Sequence, residues 1–141
     1  MKFEIEPHIG VGPIKFGMNR QEVEACFGKP EFDSDDRVGF MSGFLVDFDS
    51  NGKVEFIELA NSRKFDVIYR GVNLHSIKSD DVVTFLEKYD AYDKSDAEVG
   101  HSYIFKILQL SLWRRTVPAD DNDADGQHFD SVGIACGNYF E

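Results

Sequence analysis

Positive charge is scarce in this sequence. Across 141 residues, 15 Lys and Arg stand against 26 Asp and Glu, a formal net charge of −11. Phosphate contacts need a positive footprint, so the balance argues against a nucleic-acid partner. Anionic lipid is disfavoured for the same reason. No stretch approaches the ~20 apolar residues that span a bilayer. Two cysteines, Cys26 and Cys136, are too few for a disulfide scaffold or a four-cysteine zinc site. Both have apolar neighbours and no local cation, so buried, inert thiols are expected. The start, Met1 to Pro7, alternates charged and apolar residues and lacks the apolar core of a signal peptide. Lys2 stands where myristoylation needs glycine, and the C-terminus has no prenylation cysteine. The location expected from these features is cytoplasmic. The four histidines, His8, His75, His101 and His128, are far apart and form no H-E-x-x-H pair. No metal or cofactor is expected.

What is present suffices for a core: 42% of the residues are apolar, which excludes wholesale disorder. No low-complexity linker divides the chain, so a single domain spanning 1–141 is expected. Its fold class is α+β, with two short helices packed on antiparallel β-sheet. Near the start, Asn19 precedes an apolar helical face of Val23, Cys26 and Phe27, with Glu22 three residues after it. That is a capping-box pattern, and Met18 with Val23 supplies the staple. Gly28 and Pro30 end the helix. Residues 38–41, 43–48 and 54–59 read as strands, with a turn over 49–53 that uses Gly52.

The same order recurs in the second half. Residues 67–69 and 71–74 are extended. Ser79 reads as an N-cap, followed by acids at 80 and 81 and a stripe of Val82, Val83, Leu86 and Tyr89. Residues 102–113 read as one long strand pairing antiparallel with 129–136. Two readings fit the recurrence. One is a pair of pseudo-repeats, 1–62 and 63–141; the other is a single α+β domain that uses two helix-then-hairpin units. Read as one strand, 102–113 is apolar on both faces, with Tyr103, Phe105, Ile107 and Trp113 opposite Ile104, Leu108, Leu110 and Leu112. A one-sided sheet alternates more cleanly. A second cover is therefore expected, from the other repeat, a homodimer mate or another protein.

The segment 14–30 resembles the opening of the BamE-like (SmpA/OmlA) family. The matching residues are Gly17-Met18-Asn19, Glu22-Val23 and Gly28-Lys29-Pro30, and a later hairpin, Phe48-Asp49 through Gly52-Lys53-Val54, also fits. Tandem helix-plus-sheet units look like the β-lactamase-inhibitor-protein architecture. The lipidated cysteine of the first family and the disulfides of the second are missing. The resemblance implies a scaffold used for protein contacts, in a different compartment.

Two acidic motifs invite a calcium reading. Asp47, Asp49, Asn51, Gly52 and Glu58 satisfy the EF-hand spacing, but strands flank them where helices are required. Asp121, Asp123, Asp125 and Gly126 match the first half of such a loop, yet Val132 occupies the position of the distal carboxylate. Gly12 and Gly17 have phosphate-loop spacing without the Lys-Ser/Thr that follows it. The residues expected to bind a partner are Asp120, Asp121, Asp123 and Asp125 in the acidic loop, with Trp113, Arg114, Tyr103 and Phe105 on the aromatic strand. No catalytic constellation is visible. The expected function is a non-enzymatic, protein-binding module of the inhibitor or immunity type that masks a basic toxin or enzyme surface. The alternatives are a small-ligand protein or enzyme using a cleft between the units, and a BamE-like envelope-assembly scaffold.

Overall fold

The computed structural model describes residues 1–141 as two sheets with two eight-residue helices, an α+β fold. The smaller sheet contains β1 (Lys2–Glu6), β2 (Gly10–Val11), β3 (Ile14–Lys15), β8 (Asp66–Tyr69) and β9 (Val72–Asn73), in the order β3-β2-β1-β8-β9. The larger contains β4 (Phe32–Asp33), β5 (Arg37–Phe40), β6 (Phe44–Phe48), β7 (Val54–Ala60), β10 (Ser102–Phe105), β11 (Leu110–Trp113) and β12 (Ser131–Ala135). Its order is β10-β11-β12-β7-β6-β5-β4. All pairings are antiparallel except β1 with β8. Each sheet takes strands from both halves: β8 lies beside β1, and β12 enters between β11 and β7. Neither helix is long and apolar enough to cross a membrane.

Helix α1 (Arg20–Phe27) forms as its capping chemistry dictates. The Asn19 side chain accepts from the Glu22 amide, and the Glu22 carboxylate accepts from the Asn19 amide. Hydrogen bonds from Gly17 N to Val54 O and from Val54 N to Met18 O tie the entry of α1 to β7. The helix thereby delivers Val23 and Phe27 to the inner face of the large sheet. There Phe27, Phe3 from β1 and Phe44 from β6 meet with ring centroids 5.0–5.7 Å apart. Such edge-on contacts join helix, small sheet and large sheet into one core.

Helix α2 (Ser79–Leu86) differs from its expected start. Lys78 is the N-cap and makes no side-chain cap bond. Ser79 is the first helical residue and is buried; its hydroxyl donates to Gly126 O and its amide to Gln127 O. A distant loop thus captures the residue that local chemistry assigned to capping. Val82 and Leu86 bury in the common core.

The largest departure concerns 102–113. It is a hairpin, β10 turning into β11, not one strand. Tyr103 pairs with Leu112 and Phe105 with Leu110. The turn over 106–109 puts residues that a straight strand would send to opposite faces onto the same inner face. The two-sided apolar character therefore disappears: Phe105, Leu110 and Leu112 are all fully buried. The expected pairing with the 129–136 segment is present as β11 with β12. The cysteines also depart from expectation, since Cys26 is exposed and Cys136 half-buried. Cys26 lies on α1 beyond the stripe that Val23 buries.

Candidate functional site

Period-two alternation decides what the large sheet shows to solvent. Phe44 and Val46 of β6, Ile57 and Leu59 of β7, and Val132 and Ile134 of β12 point inward. The register then places their neighbours on the outer face: Arg37 opposite Asp47, Leu45 opposite Glu58, Glu58 opposite Gly133, Gly133 opposite Ser111, and Ser131 opposite Trp113. The helices and the small sheet pack on the other side.

The C-terminal tail crosses part of this outer face. Tyr139 stacks on Phe56 of β7 at 5.0 Å and 11°, and Phe140 meets the same ring edge-on. Gln109, nearly buried, anchors the tail as a strand would: its amide donates to Phe140 O at 2.9 Å and its carbonyl accepts from Phe140 N at 2.9 Å. Glycine is required at 133 because a Cβ there would meet the Phe56 ring at 2.7 Å and collide with Ser111 Oγ.

Two clefts open on this face on either side of the Phe56–Tyr139 stack. The first, about 440 Å³, is lined by Phe32, Ser34, Asp36, Arg37, Asp47 and Glu55, with Phe48 and Tyr139 completing it. The second, also about 440 Å³, is lined by Glu58, Ser111, Trp113, Asp130, Ser131 and Gly133. Arg37 belongs to the first cleft and reaches across toward Glu58 of the second. It binds Asp47 through Nε at 2.5 Å and Nη2 at 3.0 Å, and its Nη1 lies 3.7 Å from Glu58. The hydrogen bond to Asp47 raises the guanidinium pKa further. Burial, then Asp47 and Glu55, raise the Tyr139 phenol, so it stays a neutral hydroxyl. The clefts together hold five carboxylates (Asp36, Asp47, Glu55, Glu58 and Asp130) against one guanidinium.

The chain matches no family model, no curated protein and no solved structure. What the face can do follows from its own geometry. Of the eight residues expected to meet a partner, Trp113 is on the open face and 42% exposed. Tyr103 points inward, packing on Tyr92 and Phe129. Phe105 is fully buried, so it serves the core and cannot touch a docked surface. Arg114 is 4% exposed and holds the chain together from inside. Its Nε donates to Gly100 O at 2.7 Å, its Nη1 donates to Gly126 O at 2.9 Å, and its guanidinium lies over Phe129. The 120–125 loop lies beyond the end of β11, beside Arg114 and the start of α2. Asp120, Asp121 and Asp125 are exposed there. Asp120 accepts from Asn122 N, and Asp123 accepts from Ala119 N and Asp125 N, so both shape the loop as Asx turns.

Four site residues carried a weak signal in the sequence or none. Asp47 and Glu58 are two of the EF-hand positions. They do converge on one cation, but it is Arg37, brought to them by the β5–β6–β7 meander. Asp49, between them, accepts from Asn51 N and Lys53 N and makes the hairpin turn. Asp130 and Ser111 gave no signal, because their place depends on β12 inserting beside β7.

Proposed function

We propose that this protein is a protein-binding module whose open sheet face docks on a basic protein surface, as an inhibitor or immunity-type protein would mask a toxin or enzyme. The observation that carries the reading is the composition of that face: five carboxylates to one arginine, with Phe32, Trp113 and Tyr139 exposed among them. Aromatic anchors inside a charged, complementary surface are the usual makeup of an interface that associates fast and holds. A second copy of the chain is a poor partner, since two such faces would oppose like charges. The resemblance of 14–30 to a family of protein-contact scaffolds supports the same class.

The test is affinity capture with three full-length baits. One is wild type. The second carries Asp36→Asn, Glu55→Gln, Glu58→Gln and Asp130→Asn. The third carries asparagine in place of Asp120, Asp121, Asp123 and Asp125. The expected result is a basic protein retained by the first and third baits, lost from the second, and released as salt rises. Loss from the loop bait alone would transfer the role to the 120–125 loop. Equal retention by all three would overturn the reading.

A further inference from the structure

The two clefts are not equivalent. In the first, Asp47 is already satisfied by Arg37. In the second, no cation lines the wall. Glu58 accepts no hydrogen bond within the chain; it forms a loose ion pair with Arg37, whose Nη1 lies 3.7 Å away while Nε and Nη2 bind Asp47. The hydroxyls of Ser111 and Ser131 and the indole N–H of Trp113 also make no hydrogen bond within the chain. Asp130 uses Oδ2 to accept from Arg115 N at 2.7 Å and keeps Oδ1 for another donor. The cleft thus collects unused hydrogen-bonding groups, carboxylate oxygens and two hydroxyls that can accept together with an indole N–H that can donate, and its net charge is negative.

Its shape follows from strand spacing. Glu58 is on β7 and Trp113 on β11, with β12 between them, so their strands are about 10 Å apart. On β12 the small residues Gly133, between Glu58 and Ser111, and Ser131, opposite Trp113, keep the floor low, with the Phe56 ring and Ser111 Oγ closing over Gly133. One wall is an indole that is 42% exposed, the other a carboxylate, and the two serines lie along the floor.

We propose that this cleft receives an arginine side chain of the partner, stacked on Trp113 and paired with Glu58 and Asp130. The inference rests on the reading of the sheet face as the docking surface. A guanidinium matches the walls in three ways. It is planar and stacks on an indole face. It offers a fork of N–H donors to a carboxylate. Its remaining N–H groups suit the two serine hydroxyls. A lysine ammonium is a point charge that uses the carboxylates but not the flat wall. The cleft opens directly onto the sheet face, so a side chain projecting from a docked surface enters without any movement of this chain.

Trp113 is the single tryptophan, so its indole N–H gives one resolved NMR signal. The probes are N-acetyl-arginine amide, N-acetyl-lysine amide and spermidine, each titrated to about 50 mM at low ionic strength, where surface pairing is least screened. The expected result is a saturable shift of the Trp113 indole and the Gly133 amide with the arginine probe. Its dissociation constant should be at least about 5-fold below that of the lysine probe, a difference set by the stacking contact. Glu58→Gln with Asp130→Asn should abolish the shift; the carboxamide that replaces Asp130 keeps an oxygen for the Arg115 amide, and the spectrum's dispersion verifies the fold. Glu55→Gln, in the other cleft, should leave it intact. No saturable shift, equal shifts with lysine or spermidine, or persistence in the double variant would each overturn the arginine seat. If the seat fails while the four-residue face bait still loses its basic protein, docking on the face stands and only the seat falls. If both fail, the face is not the docking surface.

Discussion

His75 is the residue whose chemistry reaches furthest beyond itself. It is 6% exposed, and its ring spans two carbonyls, with Nδ1 2.9 Å from Phe129 O and Nε2 3.1 Å from Leu59 O. It therefore braces β7 against the residue just before Asp130, at the end of the second cleft. A neutral ring has one N–H and donates to only one of these carbonyls. Protonation would let it donate to both, at the cost of a buried charge. Burial dominates and lowers the pKa below the ordinary 6.5; the two carbonyls and Asp130 pull upward, and His128 pushes further down. The sign follows. As pH falls through 6.5 the unfolded chain takes up a proton that the folded chain refuses. The stability His75 contributes is complete above that pH and is lost below it, down to the folded pKa. Urea unfolding should show the gap between wild type and His75→Asn narrowing from about pH 7.5 to about pH 5.5. The change should not exceed about 1.4 kcal/mol per pH unit. A gap that widens in acid would mean a cationic ring holding both carbonyls.

Among the elements, the β10–β11 turn is the one held from outside. Residues 106–109 read Lys-Ile-Leu-Gln, with no glycine, proline, asparagine or aspartate. Asp90, just past α2, supplies what they lack: its Oδ2 accepts from Ile107 N at 2.8 Å and Leu108 N at 3.1 Å. Gln109 takes a positive φ of 53° and donates to Lys106 O. Asp90→Ala leaves two amides without an acceptor and should lower stability by about 2–3 kcal/mol. Asp90→Asn keeps a neutral oxygen and should cost roughly 1 kcal/mol. Urea midpoints measure both, and a silent alanine would place control of the turn in Gln109 alone. The contrast with 49–53 explains what could be read in advance. There Asp49 and Gly52 make the turn locally, and the capping box of α1 is likewise complete within four residues, so both are visible in the sequence. The turn at 106–109 and the start of α2 are set by partners 17 and 47 residues away. Their absence from local patterning turned a hairpin into an apparent long strand and sent Phe105 to the wrong surface.

For the whole molecule, the sequence shows how much negative charge there is but not where it acts. The excess was legible from counting. The 120–125 run stood out because its acids are adjacent, whereas those of the sheet face are scattered from 36 to 130. The β5–β6–β7 meander gathers those from 36 to 58, and Asp130 joins them only because β12 lies between β7 and β11. The same charge acts with opposite sign in two equilibria. Within the folded chain, a net −11 repels itself, so added salt should stabilise it by screening. Between this chain and a basic partner, the charge attracts, so added salt should weaken capture and slow association. Raising sodium chloride from about 10 mM to about 500 mM shortens the screening length to a few ångströms. It should raise the melting temperature by roughly 3–4 °C, equivalent to about 1 kcal/mol for a domain of this size, while releasing the bound protein. The four-residue face variant separates the two effects. It removes four of the 26 acids, so its melting temperature should be higher at low salt and respond less to added salt, and its capture should already be lost there. Thermal melts and capture across one salt series measure both. A melting temperature that falls with salt would show that pairs such as Arg37 with Asp47 outweigh the net repulsion.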